Sequence, residues 1–520
     1  MSLSVAAILA ESALRYPNRP AVLLGPETVT YAELWEQALR YATVLREAGV
    51  GPGDKVAILL PNVPDFPRVY YGALALGAVV VPVHALLTAE EIRYLLRDAG
   101  AKVLVCAAPL LGAGARAAEL AGVELLTVLE GGDAPRALDA RARTAEPLGA
   151  LVLRELDDDA VVLYTSGTTG EPKGAVLTHA NMLLNAETSA YDTIGLQTDD
   201  VILGCLPLFH SFGQTCAMNA GFRRGAALVL LPKFDGTAAL ELMAQHGVTV
   251  FMGVPTMYLG LLAAARTDDR RPRLRVAVSG GAALPLAVLE QVKEVLGADV
   301  YEGYGLSETS PVATFNQPVF GRKPGTVGRA IWGVEVEIAE PAVEGRIELL
   351  PTGELGEIVI RGHNVMKGYL GRPEATAAAI VDGWFRSGDL GTKDDDGFVT
   401  IVDRKKDMVL RGGFNVYPRE VEEVLLRHPG VGQVAVIGVP DPQYGEEVCA
   451  VVVRSPEAEG TDSELAESIR THAKRSLAKY KYPRRVEFVE ALPLGSSGKV
   501  LKRELTARFG SDEPAPREEG

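Results

Sequence analysis

The chain has 520 residues, too many for one hydrophobic core, so two or more domains are expected. It is 47% hydrophobic and 23% charged, an ordinary soluble composition, and its net charge of −15 disfavours a general nucleic-acid-binding role. The four cysteines (Cys106, Cys205, Cys216 and Cys449) include no C-x-x-C pair, which argues against a disulfide framework or zinc site and fits a reducing cytoplasm.

The amino terminus lacks a basic stretch before its apolar residues, so no secretory leader is expected. Tyr31 to Ala48 has helical periodicity ended by Gly49, and Lys55 to Leu60 reads as a buried strand. The uncharged run from Tyr70 to Leu87 is long enough to raise a membrane span, but Gly77 and Pro82 interrupt it. It is read as a helix ending near Gly77 and a buried strand at Val79–Val81, with no transmembrane segment. Thr88 to Glu91 is a capping box that opens the next helix, and Lys102 to Cys106 is the next strand. Gly112, Gly114 and Ala117 fit G-x-G-x-x-A, with Glu130 near the distance wanted for a ribose contact. The stretch is so rich in alanine that a nicotinamide site is disfavoured there.

Further strands are expected near Val201–Leu206, Ala227–Leu231, Val248–Phe251, Leu274–Val278 and Val300–Tyr301, separated by helices, which implies parallel sheets with crossovers. Gly325 to Asp403 is strand-rich and glycine-rich and reads as a small antiparallel or barrel-like unit. The charged run Asp403–Asp407 marks a boundary, giving domains at 1–403 and 404–510 and a disordered tail at 511–520. The second domain reads as a short α+β unit.

The stretch with most chemistry is Val161 to Gly174, an apolar β-branched run leading into Thr165, Ser166, Gly167, Thr168, Thr169 and Gly170, then Lys173. A strand that ends in hydroxyls and glycines presents backbone N–H groups and side-chain donors to an anion. It is not a Walker A loop, because Pro172 precedes the lysine and Gly174 follows it. The string closely resembles the phosphate-binding signature of the acyl-adenylate-forming superfamily, which includes acyl-CoA synthetases, luciferases and peptide-synthetase adenylation domains.

Other segments resemble that superfamily in the same order, and the roles that follow are those the resemblance implies. Glu302, Gly303, Tyr304, Gly305, Ser307 and Glu308 correspond to the adenine-and-magnesium motif, with Ser307 where threonine is commoner. Thr165 and Glu308 would hold Mg²⁺, and Gly281, Ala282 and Ala283 would line the nucleotide. Asp389, Val402 and Arg404 match the ribose clamp, and Lys406 the hinge. Lys499, on a glycine-flanked loop, matches the catalytic lysine, with His210, Ser307 and Glu308 completing the catalytic set. Gly412, Gly413, Tyr417 and Lys481 match the segments that meet CoA.

The acyl pocket would be formed by His210, Phe212, Gly213, Gln214, Met218, Val254, Gly280, Gly281, Leu306 and Val312. His210 replaces the aspartate that holds an amino group in peptide-synthetase domains, which disfavours an α-amino acid.

The implied fold class is α/β: a large amino-terminal domain of two doubly wound α/β units plus a β-rich, barrel-like subdomain, joined to a small mobile α+β domain. The implied reactants are a carboxylic acid, ATP with Mg²⁺, and CoA, and bacterial medium- to long-chain fatty acyl-CoA synthetases are nearest in character. A carrier protein is the alternative acceptor, an aryl acid the alternative substrate, and a homodimer is left open.

Overall fold

Threonine opens four helices among the described residues. Thr30, Thr88, Thr178 and Thr461 each accept from the backbone N–H three residues on. The side chain of Glu33, Glu91, Asn181 or Glu464 reaches back to the N–H of the cap in turn. The computed structural model describes residues 3–129, 136–165, 171–495 and 500–510. Ser166, Gly167, Thr168, Thr169 and Gly170 of the phosphate loop, Glu130, Lys499 and the 511–520 tail lie outside the described residues.

The chain divides into two compact units. The first comprises Met1–Val336, Gly345–Ile347 and Val359–Arg386, and the second Glu337–Glu344, Glu348–Ile358 and Ser387–Gly520.

Two large sheets organise the first unit. In one, the strands Gly368–Tyr369, Lys173–Thr178, Asp159–Thr165, Val79–Pro82, Lys55–Leu59, Ala101–Ala107 and Glu124–Val128 lie in that order, with the last five mutually parallel. The Val79–Pro82 strand is buried along its length and follows the helix Asp65–Ala75 through Gly77 at φ +78°. Only glycine takes that turn easily, and a Cβ there would stand 2.9 Å from Val152. Among the described residues no helix is long and apolar enough to cross a membrane.

The second sheet runs from Arg329–Ala330 through Val312–Phe315, Val300–Gly305, Val276–Ser279, Val250–Gly253, Val201–Gly204, Ala227–Leu230 and Pro20–Leu24 to Glu27–Thr30. Its centre is parallel and its edges antiparallel. The sequence expectation for Val300–Tyr301 was too short. The strand continues to Gly305 because Gly303 and Gly305 let the returning Val312–Phe315 strand approach closely.

The strand-rich stretch after Gly325 is shared out. Arg329–Ala330 extends the second sheet and Gly368–Tyr369 the first, while Val334–Ala339, Gly356–Gly362, Trp384–Lys393, Ile380–Val381 and Val399–Arg404 make a sheet of their own. The glycines at 112 and 114 lie inside the helix Leu111–Ala121, not in a nucleotide loop. Gly114 is small because a side chain there would press on Cys106 and Leu59 of the adjacent strands, so helix packing replaces the dinucleotide reading.

The second unit centres on the strands Phe414–Val416, Val409–Arg411, Gly445–Arg454 and Val431–Asp441, with Arg485–Phe488 parallel to Gly445–Arg454. Alternation along one strand builds two cores: Val448, Ala450 and Val452 pack with Val421, Leu425 and Ile469, while Cys449 and Val451 pack with Leu492 and Leu505.

Candidate active site

The strand Asp159–Thr165 carries its apolar residues inward and brings Thr165, half-buried, to the mouth of the phosphate loop. The strand Lys173–Thr178 returns antiparallel, pairing Lys173 with Thr165. Both shoulders of the loop are tied down. Tyr164 donates to Asp98 at 2.7 Å, Arg372 pairs with the same carboxylate at 2.7 Å, and Tyr94 donates to the Pro172 carbonyl at 3.0 Å. Burial, with the Asp98 carboxylate beside it, pushes the Tyr164 phenol well above its usual range, so it remains a donor. Lys173 holds its ammonium 5.4 Å from the centre of the Tyr369 ring.

The Val300–Gly305 strand brings up the second group. Glu302 is buried and accepts from the Leu284 N–H at 3.3 Å, which ties this strand to the loop holding Gly281, Ala282 and Ala283. Gly281 adopts φ +80°. A side chain at Gly303 would meet the Phe315 ring, and one at Gly305 would overlap the Pro311 carbonyl. Tyr304 is left half-buried between them.

The chain then makes a 3₁₀ turn over Ser307–Thr309, with Ser307 half-buried and Glu308 buried. Two donors converge on one oxygen of that carboxylate. Thr165 Oγ1 lies 3.2 Å from Glu308 Oε1, and the Tyr369 hydroxyl lies 3.0 Å from it. The Glu308 carbonyl also accepts from Met366 N–H at 2.8 Å.

Sequence reasoning paired Thr165 with Glu308 but missed Tyr369. No motif marks it, and it arrives because Gly368–Tyr369 adds as an edge strand beside Lys173–Thr178. The only local signal was a hydroxylated aromatic after glycine. Missed for the same reason were Tyr94, Asp98 and Arg372, and Tyr164 was passed over although it stands inside the Val161–Gly174 string.

A carboxylate with a hydroxyl beside it suits a hard divalent cation that keeps most of its ligands from phosphate and water. Among the described residues no cluster of three or more His, Cys, Asp or Glu could hold a metal ion by itself.

Four of the acyl-pocket candidates, Phe212, Gly213, Gln214 and Met218, lie on a π-helical segment, Phe212–Asn219, that sequence periodicity does not reveal. Gly213 is without a side chain because the Pro207 backbone occupies that space, and the Phe212 ring lies over Gly280, 3.2 Å from where a Cβ would stand. Met218 is fully buried, Val254 caps the helix Pro255–Ala264, and Val312 is held through its carbonyl by Asn185 at 2.8 Å and Asn364 at 3.0 Å. His210 and Leu306 are half-buried, and His210 Nδ1 accepts from Phe212 N–H at 3.3 Å. Gln214 is wholly buried. Its Nε2 donates to the Leu208 carbonyl at 3.3 Å, while its Oε1 has no hydrogen-bond partner among the described residues.

The remaining candidates belong to the second unit. Asp389 and Arg404 face each other across an antiparallel pair, Arg404 Nε lying 3.1 Å from Asp389 Oδ1. Asp389 is buried at 4% exposure, whereas Arg404 and Val402 are half-buried and Lys406 is exposed on the turn after them. Gly412 and Gly413, at φ +57° and +84°, form the turn between Val409–Arg411 and Phe414–Val416, and Gly412 N–H donates to the Tyr444 carbonyl at 2.8 Å. Tyr417 caps the helix Pro418–Leu425. Lys481 is paired with Glu420 at 2.7 Å, so its charge is already engaged.

The family described as AMP-binding enzyme matches residues 9–370, and its companion, AMP-binding enzyme C-terminal domain, matches residues 420–499. A long-chain-fatty-acid–CoA ligase from Bacillus subtilis is 37% identical over 96% of this chain and 93% of its own length. A feruloyl-CoA synthase from an Amycolatopsis species is 40% identical over 95% and 96%. The crystal structure of ATP-bound MatB from Rhodopseudomonas palustris superposes with a TM-score of 0.89 at 35% identity, covering 98% of this chain and 99% of that one. The chain belongs to the AMP-binding enzyme family, within the acyl-adenylate-forming superfamily whose signatures its sequence carries.

Proposed function

We propose that this chain, an AMP-forming acid–thiol ligase by family, activates a medium- to long-chain fatty acid with ATP and passes the acyl group to CoA. The carboxylate attacks the α-phosphorus, the bond to the β-phosphate breaks, and acyl-adenylate and pyrophosphate form. The CoA sulfur then attacks the acyl carbon, its proton passes to solvent, and AMP leaves. The observation that carries this reading is the meeting of Thr165 and Tyr369 on Glu308 at the mouth of the phosphate loop.

Glu308 and Thr165 would hold Mg²⁺, which when bound neutralises phosphate charge. The 165–170 loop and Lys173 would bind the phosphates, Tyr304 would stack on adenine, and Asp389 with Arg404 would hold the ribose. Lys499 would bridge the substrate carboxylate and the α-phosphate. An ion pair at ~4 Å and an effective dielectric of ~20 is worth about 4 kcal/mol, on the order of a thousandfold in rate. Lys406 would serve as the pivot between half-reactions. The glycine turn at Gly412 and Gly413, with Tyr417 beside it, supports free CoA as acceptor over a carrier protein.

The small and apolar residues around Gly280 and Met218 support an alkyl chain, and none of Trp35, Trp332 or Trp384 lies in those segments. A second reading, a hydroxylated aryl acid, draws support from the unpartnered Oε1 of Gln214, which would accept from a phenol, and from the feruloyl-CoA synthase likeness. Pyrophosphate release across alkanoic acids of increasing length and across hydroxylated cinnamic acids separates the two. Each buried CH₂ is worth about 0.8 kcal/mol, roughly fourfold in affinity, so an alkyl pocket gives a rising series with a sharp end. Supplying CoA or an acyl carrier protein in parallel identifies the acceptor. No pyrophosphate from any acid would overturn the proposal.

A further inference from the structure

We infer that Tyr369 is a positioning residue for the adenylation step, holding the Glu308 carboxylate in the orientation that receives the cation of a metal–triphosphate. The ligase reading above supplies the identity of that ligand, and the contacts stand apart from it.

Tyr369 sits on an edge strand pinned at both residues. Gly368 and Tyr369 pair with Val176 and Ala175, and the Tyr369 N–H donates to Thr376 Oγ1 at 2.9 Å. From this fixed backbone the ring faces the Lys173 ammonium at 5.4 Å, while the hydroxyl donates to Glu308 Oε1 at 3.0 Å. One side chain therefore touches both the phosphate-loop lysine and the candidate metal carboxylate.

The second donor to that oxygen, Thr165, is itself a candidate metal or phosphate contact. Once its hydroxyl turns toward a ligand, Tyr369 is the donor that still fixes the carboxylate. Losing a hydrogen bond to a charged group frees the carboxylate to rotate away from the cation.

The test is Tyr369→Phe, which keeps the ring over Lys173 and removes only the hydroxyl. Mn²⁺ binding in the presence of ATP, read by electron paramagnetic resonance, reports the site without turnover. The expected result is an Mn²⁺–ATP complex weakened about tenfold, with the Mg²⁺ concentration for half-maximal pyrophosphate release raised to match. The KM for the acid should stay unchanged, and the variant should remain folded at the assay temperature.

In a Glu308→Gln background the same substitution should add less than about twofold, because the hydroxyl acts through the carboxylate. Equal metal affinity in Tyr369→Phe and the parent protein, or full additivity with Glu308→Gln, would overturn the inference. If the parent protein released no pyrophosphate from any acid yet its Mn²⁺–ATP affinity fell with Tyr369→Phe, the ligase reading would fail and this inference would stand.

Discussion

The hydroxyl of Thr165 donates to Oε1 of Glu308 at 3.2 Å, across 143 residues of chain. The two sheets of the first unit each deliver one partner: Thr165 ends a strand of the first, and Glu308 follows a strand of the second. A pair so placed brings side chains from both sheets together, where the proposed cation would bind.

Glu308→Gln tests that placement. The amide keeps the shape and still accepts from Thr165 and Tyr369, but removes the negative charge. We expect adenylate formation, followed by pyrophosphate release, to fall on the order of a thousandfold at fixed Mg²⁺. Thioester formation from supplied acyl-adenylate and CoA should change by less than about tenfold, since that step needs no triphosphate-bound cation. Equal losses in both half-reactions would mean that Glu308 supports the fold rather than the cation.

Lys499→Ala should divide the reaction along the same line, for a different physical reason. An ammonium that bridges two anions during adenylation has no such task once pyrophosphate has left. The substitution should cost about a thousandfold in adenylate formation and leave transfer of supplied acyl-adenylate to CoA near the parent rate. Rapid-quench assays of each half-reaction check this.

Much of this architecture could be read from residue order because the informative signals were local. Thr88 with Glu91 announces a helix start, and Gly77 announces a helix end. The phosphate and adenine strings are likewise contiguous, so their resemblance to a family survives without any structure. What stayed hidden depends on pairing between distant strands. Tyr369 reaches Glu308 only because its two-residue strand adds to the sheet edge beside Lys173–Thr178, and nothing in Gly368-Tyr369 says so. The π-helical turns at Phe212–Asn219 were equally hidden, since nothing in the local residue pattern announces them. The Gly112–Ala117 string, disfavoured as a nucleotide site from its alanine-rich setting, is a motif match produced by close helix packing.

In the second unit, Arg411 and Glu447 form a two-pronged pair at 2.6 and 2.8 Å, each only 9% exposed, immediately before the Gly412–Gly413 turn. The Arg411 guanidinium also lies 4.1 Å from the centre of the Tyr444 ring. Glu447→Gln leaves a buried guanidinium without its counter-charge. We expect a loss of about 3 kcal/mol in the stability of this unit, with faster hydrogen exchange along Gly445–Arg454. Unchanged exchange there would show the pair to be dispensable.

His179 should set the acid limit of the first unit. It opens the helix His179–Thr188, is fully buried, and accepts the Val5 N–H on Nδ1 at 3.1 Å. Burial first, and the nearby Arg154 charge second, lower its pKa from 6.5 to about 4. Its position at a helix N-terminus disfavours a proton further, and protonating Nδ1 would break the Val5 bond. Since the folded state binds this proton less readily than the unfolded chain, the stability held above pH 6.5 drains away as the pH falls toward about 4. The loss reaches roughly 3 kcal/mol once both states are protonated. His179→Asn keeps an acceptor near the Nδ1 position and cannot titrate. Its urea-unfolding free energy should therefore fall less steeply between pH 6.5 and 4 than that of the parent protein, and parallel slopes would assign the acid sensitivity elsewhere.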